Sequence, residues 1–144
     1  MIINKQDFSH EARCISMTRH TVQRQIVFEA VKALGSHSSA EQVYMRIAQN
    51  HPSISKATVY RNLNQMAQAG LLRNIGVIDG AAHYDHNTHA HYHFICDGCK
   101  KIFDVESDAF RIPIHLISTK EFSITDCRLT FTGMCRECKN SGTS

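Results

Sequence analysis

Apolar residues recur at helical spacing three times in the first half of the chain. Within residues 21–34 they fall at Val22, Ile26, Ala30, Val31 and Leu34, and Gly35 follows as a stop. Residues 40–50 place Val43, Ile47 and Ala48 on one face behind Ser39, and Pro52 breaks the pattern. Residues 56–69 form a third helix burying Val59, Leu63 and Met66. Ser55 can cap its start, and Gly70 ends it. The period then shortens. Residues 71–78 and 81–85 flank Asp79 and Gly80, a two-residue hairpin signal. Three helices followed by a hairpin is the layout of a winged helix-turn-helix.

Past Asp85 the character changes. Residues 91–96 and 101–105 read as strands, and 110–120 as a helix whose start Pro113 disturbs. Residues 122–134 are rich in strand formers, and 140–144 are polar enough to form a disordered tail. Polar residues dominate from Tyr84 to Ala90. The expected organisation is therefore a winged helix over 1–84, a hinge at 85–90, a small α/β unit over 91–139 and a tail. The fold class is α/β (α+β). No internal repeat or low-complexity tract interrupts it.

Charge divides along the same line. Residues 1–75 carry nine Lys/Arg and four Asp/Glu, net +5, whereas 76–144 carry seven and nine, net −2. A basic first half suits a polyanion. No run of about 18 apolar residues exists, so no membrane span is expected. The N-terminus lacks the apolar stretch of a signal peptide, which points to the cytoplasm. Thiols stay reduced there, so paired cysteines hold metal more often than they form disulfides.

Four of the six cysteines form two such pairs, Cys96-x-x-Cys99 and Cys135-x-x-Cys138. Four thiolates are what a tetrahedral structural Zn²⁺ requires, and they leave no open position. Cys14 and Cys127 are left over and read as ordinary small residues. Five of the ten histidines crowd into residues 83–93. In a strand, His91 and His93 share a face. Asp104 on the neighbouring strand and Asp85 at the hinge could add carboxylates. Such a mixed nitrogen and oxygen set suits Fe²⁺, Mn²⁺ or another first-row metal. An isolated H-x-H is more often a pair of surface histidines. The flanking carboxylates and the adjacent cysteine pair reverse that expectation.

The third helix turns Thr58, Arg61, Asn64 and Gln65 away from its apolar stripe, with Tyr60 on the flank. These side chains can donate to phosphates and base edges. A solvated helix face would look similar, but the hairpin and the basic first half favour double-stranded DNA.

The segment from Ser55 to Leu63 (SKATVYRNL), the H-x-H before Cys96-x-x-Cys99, and Cys135-x-x-Cys138 together resemble the ferric uptake regulator family. The resemblance runs from about Met17 to Cys138. It implies a homodimeric, metal-dependent transcriptional repressor with a winged-helix DNA-binding domain and an α/β dimerisation domain holding a four-cysteine zinc site. The family's regulatory metal ligands fall on His37, Asp85, His91, His93 and Asp104. Many relatives have Glu where this chain has Asp104. Aspartate there is similar to the peroxide-sensing PerR branch, in which oxidation of His37 or His91 would release metal and DNA. The family's DNA contacts fall on Arg19, Lys56, Thr58, Tyr60 and Arg61, with Arg19 probing the minor groove. An auxiliary metal site of many relatives falls on Ala90, Tyr92, Arg111 and Cys127. Three of these are not ordinary ligands, so that site is expected to be absent. Val22 departs from the proline-containing segment of many relatives.

Three other readings compete. An iron- or zinc-uptake repressor of the same family would sense metal level instead of peroxide. A zinc hydrolase or deaminase would need an open zinc position and a general acid/base. The H-x-E and P-C-x-x-C signature of deaminases is missing, since His93-Phe94-Ile95 lacks Glu and no Pro precedes Cys96. No enzymatic activity is expected. A zinc-ribbon interaction module would bind metal but no duplex.

Overall fold

The computed structural model describes residues 19–106, 108, 113, 117, 119–124 and 127–142, without the side chains of Arg19 and His20. The first unit comprises α1 (Arg19–Leu34), β1 (Ser38–Ser39), α2 (Ala40–Ala48), α3 (Lys56–Gln68), β2 (Arg73–Ile78) and β3 (Ala81–Asp85). The second comprises β4 (His91–Cys96), β5 (Ile102–Glu106), β6 (Thr130–Gly133) and α4 (Arg136–Asn140).

Local chemistry sets the helix boundaries. Ser39 and Gln42 form a reciprocal capping box on α2, with bonds of 3.2 and 2.8 Å. Ser55 Oγ accepts from the Thr58 N–H at the start of α3. Gly70 follows α3 with φ +74°, and its N–H donates to the Ala67 carbonyl. At the hairpin tip Asp79 and Gly80 both have positive φ, as a type I′ turn demands.

The three helices enclose a core built on Val27, Val31, Val43, Val59 and Leu63, closed from the sheet side by Tyr84. The inward face of α1 differs from the expected stripe. Val22 and Leu34 are 40% and 38% exposed, while Val27 is fully buried beside Ala30 and Val31. Among the described residues, both sheets have three strands. The winged sheet runs β1-β3-β2. Its first strand escapes periodicity analysis because it is only two serines, paired with His83 and Tyr84.

The second sheet runs β5-β4-β6, with β5 antiparallel and β6 parallel to β4. Its register places His93 opposite Asp104 on one side and Thr130 on the other.

Several boundaries shift from the sequence expectation. Asp85 is the last residue of β3, paired with Arg73, and so belongs to the winged sheet instead of the hinge. Among its described residues, the β-rich segment 122–134 yields one short strand, β6. Asn140 ends α4 and Ser141 Oγ donates to the Glu137 carbonyl, so the last helix reaches into the segment read as a tail. Most of the helix expected at 110–120 lies outside the described residues. Among the described residues, no helix is long and apolar enough to cross a membrane.

Candidate metal centres and a basic face

The cysteine cluster lies at one end of the second sheet. Cys96 ends β4, Cys99 closes the turn after it, Cys135 caps α4, and Cys138 sits one turn along that helix. The four Sγ atoms lie within 4.8 Å of one another. Cys99 Sγ and Cys135 Sγ are 3.8 Å apart. A tetrahedron of Zn–S bonds of about 2.3 Å imposes a sulfur spacing of about 3.8 Å, so the cluster fits zinc. A Cβ on Gly98 would come within 3.1 Å of Cys138 Sγ and of Met134, which explains glycine inside the first pair. The backbone N–H groups of Cys99 and Cys135 pull the Cys96 thiol down to about 6. Its bond with Cys135 pushes the Cys138 thiol up to about 12. A bound divalent cation offsets the repulsion that keeps four adjacent thiols from ionising together.

The second cluster forms between the two sheets. His37 comes from the α1–β1 connection, Asp85 from β3, His91 and His93 from β4, and Asp104 from β5. One ligand atom from each of the five lies within 4.8 Å of all the others. His37 Nε2 is 2.7 Å from Asp104 Oδ1. His91 Nε2 is 3.0 Å from Asp85 Oδ2 and 2.9 Å from His93 Nε2. Asp85 is fully buried, as are His91 and His93 to within 5%. Burial pushes the Asp85 carboxyl up, but His93, the Asn87 N–H, His37 and His91 outweigh it and hold the group at about 2. Three inward-facing imidazole nitrogens and two carboxylates fit a first-row divalent cation. His37 holds φ +66°, a conformation that a side-chain-bearing residue seldom adopts and that marks functional sites.

The sequence pattern missed the groups that orient these donors. His91 Nδ1 donates to the His89 carbonyl at 2.8 Å. A carbonyl only accepts, so the proton sits on Nδ1 and the Nε2 lone pair faces the site. Asp85 Oδ1 accepts from the Asn87 N–H at 2.8 Å. An acidic residue two positions before Asn was the available signal, since Asp side chains often accept from the backbone two residues on. His86 Nδ1 is buried without a hydrogen-bond partner, 3.9 Å from Asp85 Oδ1.

On α3, Arg61, Asn64 and Gln65 are exposed and Thr58 is half-buried. Asn64 lies off the apolar stripe as expected, and its Oδ1 accepts from Tyr84 OH at 2.6 Å. Lys56 pairs with Glu41 of α2. Tyr60 OH donates to the same carboxylate at 3.2 Å. The Lys56 ammonium also lies over the Tyr44 and Tyr60 rings. Arg61 shares a cleft of about 310 Å³ with Arg24, Thr21 and Gln65, so Arg24 joins the basic face. Arg19 opens α1, and its side chain lies outside the described residues. Of the auxiliary positions, Ala90 is exposed, Tyr92 packs edge-on against Phe131, Cys127 is half-buried and Arg111 lies outside the described residues.

The model of the "Ferric uptake regulator family" matches residues 16–132. This chain belongs to the ferric uptake regulator family. Members of that family are transcriptional regulators. The chain is 33% identical over 128 residues to the peroxide-responsive repressor PerR of Staphylococcus epidermidis, covering 86% of this chain and 83% of that protein. Its fold matches the Campylobacter jejuni peroxide stress regulator with a TM-score of 0.68 and 29% identity, over 85% of this chain and 93% of that one. It also matches the Vibrio cholerae ferric uptake regulator, with a TM-score of 0.57 and 26% identity over 80% and 90% of the two chains. That structure reveals a rearrangement of the DNA-binding domains.

Proposed function

We propose that this protein is a homodimeric, metal-dependent repressor of the peroxide-responsive branch. It binds operator DNA when the His/Asp site holds Fe²⁺ or Mn²⁺, and releases it when peroxide oxidises a histidine of that site. One observation carries the reading: His37, Asp85, His91, His93 and Asp104 reach one point from both structural units. Filling that point fixes the angle between the winged unit and the second sheet, and so selects the dimer geometry in which two α3 helices meet two half-sites. Thr58 and Arg61 of α3 read the major groove, Lys56 and Tyr60 flank it, and Arg19 reaches the minor groove. The row Phe131–Phe94–Phe103 crosses the second sheet, and its outer two members are exposed, which supports this unit as the dimerisation domain. Cys96, Cys99, Cys135 and Cys138 hold a structural Zn²⁺. The protein acts in the cytoplasm and is not an enzyme.

His37, Asp85, His91, His93 and Asp104 would hold Fe²⁺, which would supply the redox chemistry that activates peroxide and that Mn²⁺ would supply poorly. In the net change His37 or His91 would exchange a ring C–H for a bond to one peroxide oxygen, and the other oxygen would leave as water. The altered ring loses its basic nitrogen. His37 belongs to the winged unit and His91 to the second sheet, so damage to either separates what the site joined. Peptide mass spectrometry and operator binding after a peroxide pulse test this reading. The Fe²⁺-loaded protein should gain one oxygen on His37 or His91 and release DNA, and the Mn²⁺-loaded protein should do neither. Equal behaviour with both metals would instead identify a repressor of iron or zinc uptake.

A further inference from the structure

The connector between β3 and β4 is laced by hydrogen bonds that avoid the atoms facing the metal site. Asp85 Oδ1 accepts from the Asn87 N–H at 2.8 Å. Asn87 Oδ1 accepts from the His89 N–H at 3.1 Å. The His89 carbonyl accepts from His91 Nδ1 at 2.8 Å. Arg73 Nη1 then donates to the His91 carbonyl at 3.1 Å. Arg73 is itself the strand partner of Asp85 across β2 and β3. The contacts therefore form a closed ring from Asp85 through the connector to His91 and back. Asp85 Oδ2 and His91 Nε2 stay outside the ring and point into the site, 3.0 Å apart.

Arg73 is the member of this ring that reaches from the winged sheet to the second sheet by its own side chain. A cavity of about 20 Å³, the room of about one water, lies beside it and touches His91, His93 and Thr130. Arg73 thus lines the same small cavity as the two strand histidines, and its guanidinium bonds to backbone instead of to a ligating atom.

We propose that Arg73 is an interdomain positioning residue. Its bond to the His91 carbonyl holds β4 against the winged sheet whether or not the His/Asp site is filled, so that the donors meet the metal already aligned. A metal that binds one of two conformations has its apparent affinity scaled by the fraction of protein already in the competent one. Arg73 raises that competent fraction. Its charge acts in the opposite sense, because a cation near the site disfavours a divalent metal. The two roles therefore predict opposite signs. The metal readout rests on the function proposed above; the backbone readout does not.

The test uses full-length, zinc-loaded dimer carrying Arg73→Met or Arg73→Lys. Positioning predicts that Arg73→Met binds Mn²⁺ roughly tenfold more weakly, the effect of losing one charge-assisted hydrogen bond. Arg73→Lys, which keeps the charge but loses the planar fork, should fall between the two. Amide hydrogen exchange before Mn²⁺ addition should be faster across residues 86–93 in Arg73→Met, with zinc content unchanged and the melting temperature lowered by at most several degrees. Unchanged or tighter Mn²⁺ binding by Arg73→Met, or unchanged exchange at 86–93, would overturn the proposal. Should Arg73→Met fail to fold, the same two measurements on Arg73→Lys decide. A wild-type protein that binds Mn²⁺ but no duplex would reject the repressor reading and leave this inference judged by its own two measurements.

Discussion

The cysteine cluster takes its four sulfurs from one end of the second sheet, whereas the His/Asp cluster takes its five donors from both units. The first cluster joins β4 to α4, elements that already share a neighbourhood. The second joins the α1–β1 connection and β3 to β4 and β5. A closed set of four thiolates inside one unit can only stabilise it. A mixed set spanning two units can change how they sit, and so can couple a metal or an oxidant to DNA. Burial does not separate the two: Cys96 and Cys135 are buried while Cys99 is exposed, and Asp85, His91 and His93 are buried while Asp104 is exposed. What separates them is which units the donors come from.

If that contrast is right, breaking the cysteine site has the largest effect and reaches every property. Cys96→Ser or Cys138→Ser removes one thiolate from a closed site, and metal binding energy there is largely folding energy. Zinc, the dimer and cooperative melting should all be lost, as seen by metal analysis, sedimentation and calorimetry. A zinc-free variant that remained a stable dimer would erase the distinction.

Asp85→Ala strikes the other site and should leave zinc and the dimer intact. It removes a buried carboxylate that meets the site's three imidazoles, so Mn²⁺ affinity should fall by more than the roughly 10–100-fold typical of losing a supporting group. Operator binding at micromolar Mn²⁺ should vanish in a gel-shift experiment. A sharper version needs no mutation. Thermodynamic linkage requires operator DNA to tighten Mn²⁺ binding by the same factor by which Mn²⁺ tightens DNA binding. DNA should leave zinc affinity unchanged. Equal effects of DNA on both metals would place the coupling elsewhere.

The basic face should respond differently from either metal site. Arg61→Ala should weaken operator binding by roughly 1–3 kcal/mol if it reads a base edge. Arg24→Ala should act evenly across sequences and reduce the salt slope by about one, the signature of a phosphate contact. Fluorescence anisotropy over a salt series separates them. Neither change should alter Mn²⁺ affinity in the absence of DNA.

How much of this was legible follows from where each signal lies along the chain. The C-x-x-C pairs, the H-x-H and the three amphipathic helices are local patterns, and a single pass along the sequence finds them. His37 is a lone histidine between Ser36 and Ser38, and only resemblance to the family singled it out. Its role depends on a left-handed backbone turn that aims it across to Asp104, and no spacing rule encodes that. Arg73 and the His89 carbonyl were also invisible, because one acts on backbone and the other is backbone. The β1 strand was missed because two serines carry no period. Val27 replaced Val22 and Leu34 in the core because tertiary packing, rather than the apolar stripe alone, chose the buried face of α1.

The smallest structural change offers the finest division between the two sites. Asp104→Glu adds one methylene to a carboxylate that lies opposite His93 in the β4–β5 ladder and 2.7 Å from His37 Nε2. Charge and donor type are kept, so zinc, the dimer and Mn²⁺-dependent operator binding should stay within a few-fold of wild type. The extra length must be absorbed where Asp104 meets His37, the donor on the winged side. Oxidation needs His37 or His91 correctly placed against an incoming peroxide, a stricter demand than holding the units together. The variant should therefore repress normally with Mn²⁺ or Fe²⁺ yet lose most of the peroxide-dependent oxygen gain on those histidines. Mass spectrometry of the histidine peptides, run beside the operator assay, measures both properties on one sample. Oxidation at the wild-type rate in Asp104→Glu would mean that the aspartate does not set the response to peroxide.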